Sequence, residues 1–224
     1  MSEIWKRIES CSYAMRYKLQ LAGNAVEDLK LHNFSWENYI FQGPGFRRSH
    51  IEIVDKKQDF GIYILHATVF PSLDSDAPIW GFDVVSGKNK ITGAFHDFSI
   101  TTNENHKMCQ WFKNTTTSLS WSKNRTLPPW AEAIFSKDMI AAGNLQDLTE
   151  VDKFLDFGLE SLSYYLENCK EYSPINDIEI KNRQNNYCVH QKMNPRVIQS
   201  MVAMGYSQES ITNFVDEILF PEIK

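Results

Sequence analysis

The chain has 224 residues, with 23 lysines and arginines against 28 aspartates and glutamates, which gives a formal net charge of -5. Its 42% hydrophobic content excludes a disordered, collagen-like or disulfide-scaffold chain. The mild acidity argues against nucleic acid as the main partner, because binding phosphates needs a basic face.

The first predicted element is an amphipathic helix that ends at Gly23–Asn24. Its apolar residues recur at helical spacing: Ile4, Ile8, Cys11, Met15 and Leu19. Residues 34–42 then read as extended, and a turn follows at 43–45.

Four strand-like runs occupy the middle of the chain, at residues 46–54, 60–70, 79–85 and 90–100. Short polar turns such as 55–59 and 86–89 predict antiparallel neighbours. The runs are apolar on both alternating faces, so we expect layers that cover both sides of the sheet.

The second half of the chain reads as mainly helical after a polar, irregular segment at 101–124. A capping-box pattern at Thr149 predicts one helix start, and Asn194 before Pro195 predicts another. Ser207 predicts the cap of a last helix that ends near Phe220. The predicted fold is α/β, a three-layer α/β/α sandwich with a central antiparallel sheet, in a single domain over 1–224.

Ionisable residues interrupt three of the apolar strand runs: Glu52, His66 and Asp83. A carboxyl group that loses its water there has a raised pKa, and beside a histidine it can transfer protons. His50 shares a strand face with Glu52 by the two-residue period. An alternative interpretation needs no catalytic site: His66 is a core residue whose hydrogen bonds are made within the protein, and Glu52 and Asp83 face solvent.

The sequence lacks the motifs of the common cofactor sites. The cysteines, none of them in a C-x-x-C pair, lie far apart at Cys11, Cys109, Cys169 and Cys188. This spacing predicts reduced thiols, no metal site and a cytoplasmic location. There is no G-x-G-x-x-G, P-loop or G-x-S-x-G motif, and no apolar stretch long enough to span a membrane. If the protein is a redox enzyme, we expect its electrons to come from outside the chain.

The sequence resembles the ferredoxin-dependent bilin reductases, and most closely their phycocyanobilin-forming branch. The stretches that carry the resemblance are 47–52, 65–71, 77–85, 97–99, 127–130, 183–184, 187–188 and 218–220. The combination of Phe70–Pro71 with the Pro-Ile-Trp-Gly-Phe-Asp run at 78–83 is the specific part. The resemblance as a whole covers nearly the whole chain from about residue 40.

The resemblance implies a ferredoxin-dependent oxidoreductase that reduces biliverdin IXα through bilin radicals. Reduced ferredoxin is the external electron donor in this family, and no cofactor is tightly bound. The family fold, an α/β/α sandwich, agrees with the predicted architecture. The resemblance also implies a cytoplasmic monomer from a cyanobacterium or a phage-infected host, and divergent marine or phage members of the PcyX type are similar.

The resemblance also implies site residues. Asp83 matches the aspartate that donates a proton at the pyrrole nitrogens, His66 its partner near the lactam oxygen, and Glu52 the acid that assists reduction of the exocyclic vinyl group. The substrate-binding matches are His50, linked to that site by hydrogen bonds, Arg125 and Thr92 at the propionates, and Asn194 and Arg196 near the bilin. Asn194 is also explained as a helix cap, and Thr92 as an ordinary strand residue.

Three hypotheses follow from these residues. The first is four-electron reduction to a phycobilin, with phycocyanobilin favoured by Glu52 and phycoerythrobilin as the second product. The second is a non-catalytic bilin-binding or carrier protein. The third sets the resemblance aside and takes the chain as a structural α/β module with buried ion pairs.

Overall fold

The computed structural model describes residues 2–28, 31, 33–99, 105–170 and 177–224. Its centre is a seven-stranded sheet in which the strands follow one another in chain order. The strands are β1 (Asn24–Ala25), β2 (Glu37–Gly43), β3 (Phe46–Lys56), β4 (Ile62–Pro71), β5 (Ile79–Gly87), β6 (Lys90–Ser99) and β7 (Ile140–Ala142). Every neighbouring pair is antiparallel, which confirms the prediction from the short turns.

Helices cover both faces of the sheet. They are α1 (Glu3–Ala22), α2 (Lys107–Thr116), α3 (Pro129–Glu132), α4 (Leu148–Asn168), α5 (Asp177–Gln191), α6 (Pro195–Ala203) and α7 (Gln208–Asn213). Helix α7 continues into a π-helical segment, Phe214–Leu219. The predicted α/β/α sandwich with a central antiparallel sheet is confirmed.

Alternating strand residues supply two separate cores. The larger core packs α1, α2 and α4 against one face of the sheet, through strand residues such as Leu65, Phe82 and Val84. On the opposite face, Val54, Phe70 and other residues pack with α5, α6, α7 and the π-helical segment. This second face carries the ionisable strand residues, because they stand at the alternate positions of the same strands.

The predicted starts of α6 and α7 are confirmed, and the start of α4 is shifted along the sequence. Asn194 caps α6 by accepting a hydrogen bond from the backbone N–H of Arg196, and Ser207 caps α7. Helix α4 begins one residue before Thr149, because Asp147 is the cap and accepts from the Thr149 N–H at 2.7 Å.

The prediction for 101–124 was wrong over part of its length, since α2 lies inside it. Residues 100–104, which include the end of the predicted fourth strand, lie outside the described residues. All four cysteines are free thiols, as predicted. Among the helices of the described ranges, none is both long and apolar enough to cross a membrane.

Candidate active site

The hairpin registers align the three predicted catalytic residues in one row across the sheet. Glu52 on β3 lies directly opposite His66 on β4, and His66 lies directly opposite Asp83 on β5. Directly opposite residues on one face have Cβ atoms about 4.5–5.5 Å apart, close enough for their side chains to interact. The structure therefore brings together groups that are separated by 14 and 17 positions in the sequence.

Burial changes steadily along this row. Glu52 is 8% exposed, whereas the side chain of His66 is 14% exposed and that of Asp83 is 32% exposed. The His66 Nδ1 and Asp83 Oδ1 atoms are 3.8 Å apart, which is an ion-pair distance but too long for a hydrogen bond. The row thus runs from an enclosed carboxyl group to one that reaches water.

The environment adjusts the proton affinity of two of these groups. Burial raises the pKa of Glu52 to about 7, the neighbouring Asp83 carboxylate adds to the rise, and His66 opposes it. Burial alone would lower the pKa of His66, but the carboxylates of Asp83 and Glu52 outweigh it and raise that pKa. Near neutral pH, Glu52 and His66 can therefore both hold a proton that they can also release.

A second polar row lies two residues away on the same face. His50 is fully buried, and its Nε2 lies 3.0 Å from Asn38 Oδ1. Thr68 pairs with His50 across the sheet and is also fully buried. Burial and the nearby Arg48 charge lower the pKa of His50 well below its usual value, so this ring is neutral at pH 7.

Among the buried polar atoms without a hydrogen-bond partner in the described part of the protein, three lie close together on this face. They are His50 Nδ1, His66 Nε2 and Thr68 Oγ1. The two histidine rings are 6.5 Å apart, so these atoms lie within one small region. Donors and acceptors in this arrangement suit the polar edge of a bound molecule.

His96 on β6 shows what a purely structural histidine looks like in the same sheet. Its side chain points to the opposite face, where Nδ1 bonds the Gly81 carbonyl at 2.7 Å and Nε2 bonds the Ser161 hydroxyl at 2.7 Å. Burial lowers the pKa of His96 to about 4, so the ring is neutral with its proton on Nδ1, since a carbonyl can only accept. Both nitrogens of His96 are satisfied within the protein, in contrast to those of His66.

Asp97 is a buried carboxyl group on the site face that we did not select from the sequence. It accepts hydrogen bonds from the Ser99 hydroxyl at 2.6 Å, from the Ser136 N–H at 2.9 Å and from the Ser136 hydroxyl. Burial raises the pKa of Asp97 to about 6 against these hydrogen bonds. Its partners tie β6 to the segment after α3, so Asp97 fixes the border of the site.

Arg125 and Thr92 lie together at the β6 side of the site. Arg125 Nη1 donates to the Thr92 carbonyl at 3.0 Å, and its guanidinium is 5.7 Å from the ring of Phe95. Phe95 lies opposite Asp83, so Arg125 stands one strand away from the row of Glu52, His66 and Asp83. The Thr92 hydroxyl donates to the Val85 carbonyl at 2.9 Å, which leaves its lone pairs to accept.

Asn194 and Arg196 stand at the start of α6, and the hydrogen bonds described for them are local. The Asn194 side chain accepts from the Arg196 N–H at 3.0 Å, as its interpretation as a cap requires. Arg196 is exposed, and its Nη1 lies 3.4 Å from Gln199 Oε1.

The sequence reasoning missed two residues that border the row. Phe220, which follows the π-helical segment, places its ring edge-on to His66 with centroids 5.9 Å apart. Arg48 precedes His50 by two positions, and its Nη2 donates to the Ile218 carbonyl at 2.5 Å. The two-residue period along β3 could have identified Arg48, whereas no local pattern signals the contact of Phe220.

The site is thus a row of two carboxyl groups and a histidine on an apolar sheet face, and no cluster of described residues has the composition to hold a metal ion. The model of the ferredoxin-dependent bilin reductase family matches residues 2–221. The chain belongs to that family and is an oxidoreductase, as the sequence resemblance predicted.

Individual relatives agree with this placement. The chain is 25% identical over 202 residues to the phycocyanobilin:ferredoxin oxidoreductase of Prochlorococcus marinus (strain MIT 9515), covering 88% of this chain and 81% of the relative. It is 26% identical over 192 residues to the protein of the same name from Trichodesmium erythraeum (strain IMS101), covering 82% and 75%.

Solved structures show the same fold. A PcyX structure superposes with a TM-score of 0.72 at 23% identity and covers 97% of this chain and 99% of its own. Tomato phytochromobilin synthase, solved in complex with biliverdin, also gives a TM-score of 0.72, at 12% identity, with 92% and 80% covered.

Proposed function

We propose that this protein reduces biliverdin IXα to a phycobilin with electrons from reduced ferredoxin. The observation that carries the proposal is the row formed by Glu52, His66 and Asp83, in which three ionisable groups line one face of the sheet. Its membership of the bilin reductase family supplies the reaction class. As proposed from the sequence, residues 1–224 act as one domain and as a monomer.

Protons and electrons must balance in this reaction. Ferredoxin delivers four electrons one at a time, and four protons from water pass through the protein to the bilin. Each electron makes the bilin radical more basic, so the nearest acid protonates it. In this proposal Asp83 donates at the pyrrole nitrogens, and His66 shares its proton. Glu52 donates at the exocyclic vinyl group.

The exposure gradient along the row supports a direction for proton supply. Asp83 contacts water and can regain a proton from solvent, whereas Glu52 is enclosed and regains one through His66. The raised pKa values of Glu52 and His66 keep a supply of protons near neutral pH. The phycobilin made is then phycocyanobilin if Glu52 donates, and phycoerythrobilin if it does not.

In this proposal, substrate binding is assigned to further residues outside this row. Arg125 offers a planar, bidentate donor to a propionate carboxylate, and Thr92 lies beside it. His50 lies two residues before Glu52 on β3, on the same face of the sheet. Asn194 and Arg196 at the start of α6 complete the proposed set on the helical side.

The test mixes the protein with biliverdin IXα, reduced ferredoxin and a ferredoxin reductase under anaerobic conditions. Absorbance follows the reaction, and chromatography identifies the product. We expect loss of the biliverdin band and one dominant phycobilin. Binding spectra without turnover would favour the non-catalytic carrier instead, and no bilin affinity at all would leave only a structural module.

Asp83→Asn tests the assigned proton donor. The variant keeps the size of the side chain but cannot supply a proton, so it should bind biliverdin and stall during reduction. Full turnover by this variant would refute the role of Asp83. Asp59→Asn, at an exposed position in the turn between β3 and β4, is the matched control and should turn over normally.

A further inference from the structure

The C-terminal tail, residues 220–224, is fastened to helix α5 by a pair of side chains. The Asn185 amide donates to the Ile223 carbonyl at 3.0 Å, and its oxygen accepts from the Ile223 N–H at 2.7 Å. One side chain therefore satisfies both backbone groups of a single tail residue, as a neighbouring β-strand would. This contact spans 38 positions in the sequence.

Lys192, the first residue after α5, makes a second contact with the tail. Its Nζ lies 2.7 Å from Glu222 in the tail and 3.1 Å from Asp216 in the π-helical segment. The Lys192 side chain is 20% exposed, whereas Glu222 and Asp216 are 44% and 49% exposed, so water partly screens both ion pairs. The tail and the π-helical segment are thus joined to α5 by the same cation.

Between these contacts the chain reaches one member of the row, His66, through the side chain of Phe220. The Phe220 N–H donates to the Val215 carbonyl at 2.9 Å and closes the π-helical segment. The Phe220 ring then lies edge-on to His66. On its other side, the segment is held to β3 by the hydrogen bond from Arg48 to Ile218. π-Helical turns are rare and often occur at functional sites, because the wider turn redirects the side chains.

We propose that Asn185 is a positioning residue of this enzyme, which holds the tail so that Phe220 stays against His66 and keeps water from that side of the proton-donating row. The inference rests on the proposed function for its catalytic meaning. Its structural content does not depend on biliverdin. Excluding water strengthens the interactions among the charges of a site, which here are those of His66, Asp83 and Glu52.

The first experiment tests the contact between Phe220 and His66 in the unliganded protein. The ring current of Phe220 displaces the ring-proton resonances of His66, which NMR with labelled histidine records. We expect Asn185→Ala to move these resonances in the same direction as Phe220→Leu does. Asn186→Ala, an exposed neighbour on the same helix, should leave them in place. Unmoved His66 resonances in Asn185→Ala, with a clear shift in Phe220→Leu, would overturn the proposal.

The second experiment is a double-mutant cycle on biliverdin affinity, measured by absorbance without ferredoxin. Losing the two hydrogen bonds of Asn185 should weaken binding roughly fivefold to tenfold. Because Asn185 acts through Phe220, the effects of Asn185→Ala and Phe220→Leu should not be additive. Additive effects, or a lowered melting temperature with unchanged affinity, would show a merely structural fastening. Failure of the proposed function would look different, since wild-type protein would then not reduce biliverdin although the NMR shifts follow the prediction.

Discussion

Glu52→Gln gives the most direct test of the electrostatics of the site. Glutamine has the shape of a protonated glutamic acid but cannot ionise. The pKa of Glu52 rises from the usual 4.5 to about 7 in the folded protein because the side chain is buried. The folded state therefore holds a proton that the unfolded chain has already released. Glu52 stabilises the protein below pH 4.5, and this contribution is lost as the pH rises towards 7.

The size of the effect follows from the same two pKa values. One pKa unit corresponds to about 1.4 kcal/mol, so wild-type protein should lose about 2–3 kcal/mol of unfolding free energy from this group between pH 5 and pH 8.5. The glutamine variant has no such loss. The raised pKa of His66 acts in the same direction, since a protonated histidine also loses its contribution as the pH rises.

Urea unfolding at pH 5 and pH 8.5 measures the difference between the two proteins. We expect the variant to match wild type at pH 5 within about 1 kcal/mol and to exceed its stability at pH 8.5 by about 2–3 kcal/mol. Glu167→Gln, at an exposed position of α4, is the control for the substitution itself. An identical pH dependence in wild type and Glu52→Gln would show that Glu52 does not hold a proton at neutral pH.

Three further predictions concern neighbouring residues. Thr68→Val is close in shape and breaks no described hydrogen bond, so urea unfolding should change by less than about 1 kcal/mol, while biliverdin affinity falls a few-fold. His96→Leu removes the bonds to Gly81 and Ser161 and should cost about 2–4 kcal/mol in the same unfolding assay. Arg125→Gln should weaken biliverdin binding roughly tenfold in absorbance titrations and leave binding of its dimethyl ester nearly unchanged.

Each of these predictions has an outcome that contradicts it. A large loss of stability in Thr68→Val would mean that its hydroxyl serves the fold and not a ligand. His96→Leu with wild-type stability would show that the hydrogen bonds from His96 to Gly81 and Ser161 do not stabilise the fold. If Arg125→Gln weakened binding of biliverdin and of the ester equally, Arg125 would not contact a propionate.

Much of the sheet could be predicted from the sequence, because apolar runs of strand length are separated by short polar turns. Helix α5 could not, since Gln184 and Gln191 lie among its buried positions and its apolar pattern is weak. Helix α2 was missed for a related reason. It buries only Met108 and Phe112, and its cap is His106, an unusual residue for that position.

The site was predicted in part for equally physical reasons. A charged residue within an apolar run is visible in the sequence, and this identified Glu52, His66 and Asp83. Their alignment depends on the registers of the two hairpins, which no local pattern sets. The contact of Phe220 with His66 joins positions 154 residues apart and depends on how the tail packs.

The chain-order meander has a consequence for how the molecule is made. Each strand pairs with the one synthesised just before it, so the sheet can extend strand by strand from short-range contacts, a topology that favours rapid folding. The row of Glu52, His66 and Asp83 is complete once residue 87 has joined the sheet, whereas α5 and the tail follow later in the chain. On the ribosome, the sheet face that carries Glu52, His66 and Asp83 would thus stay uncovered until α5 and the residues after it have been synthesised and packed against it.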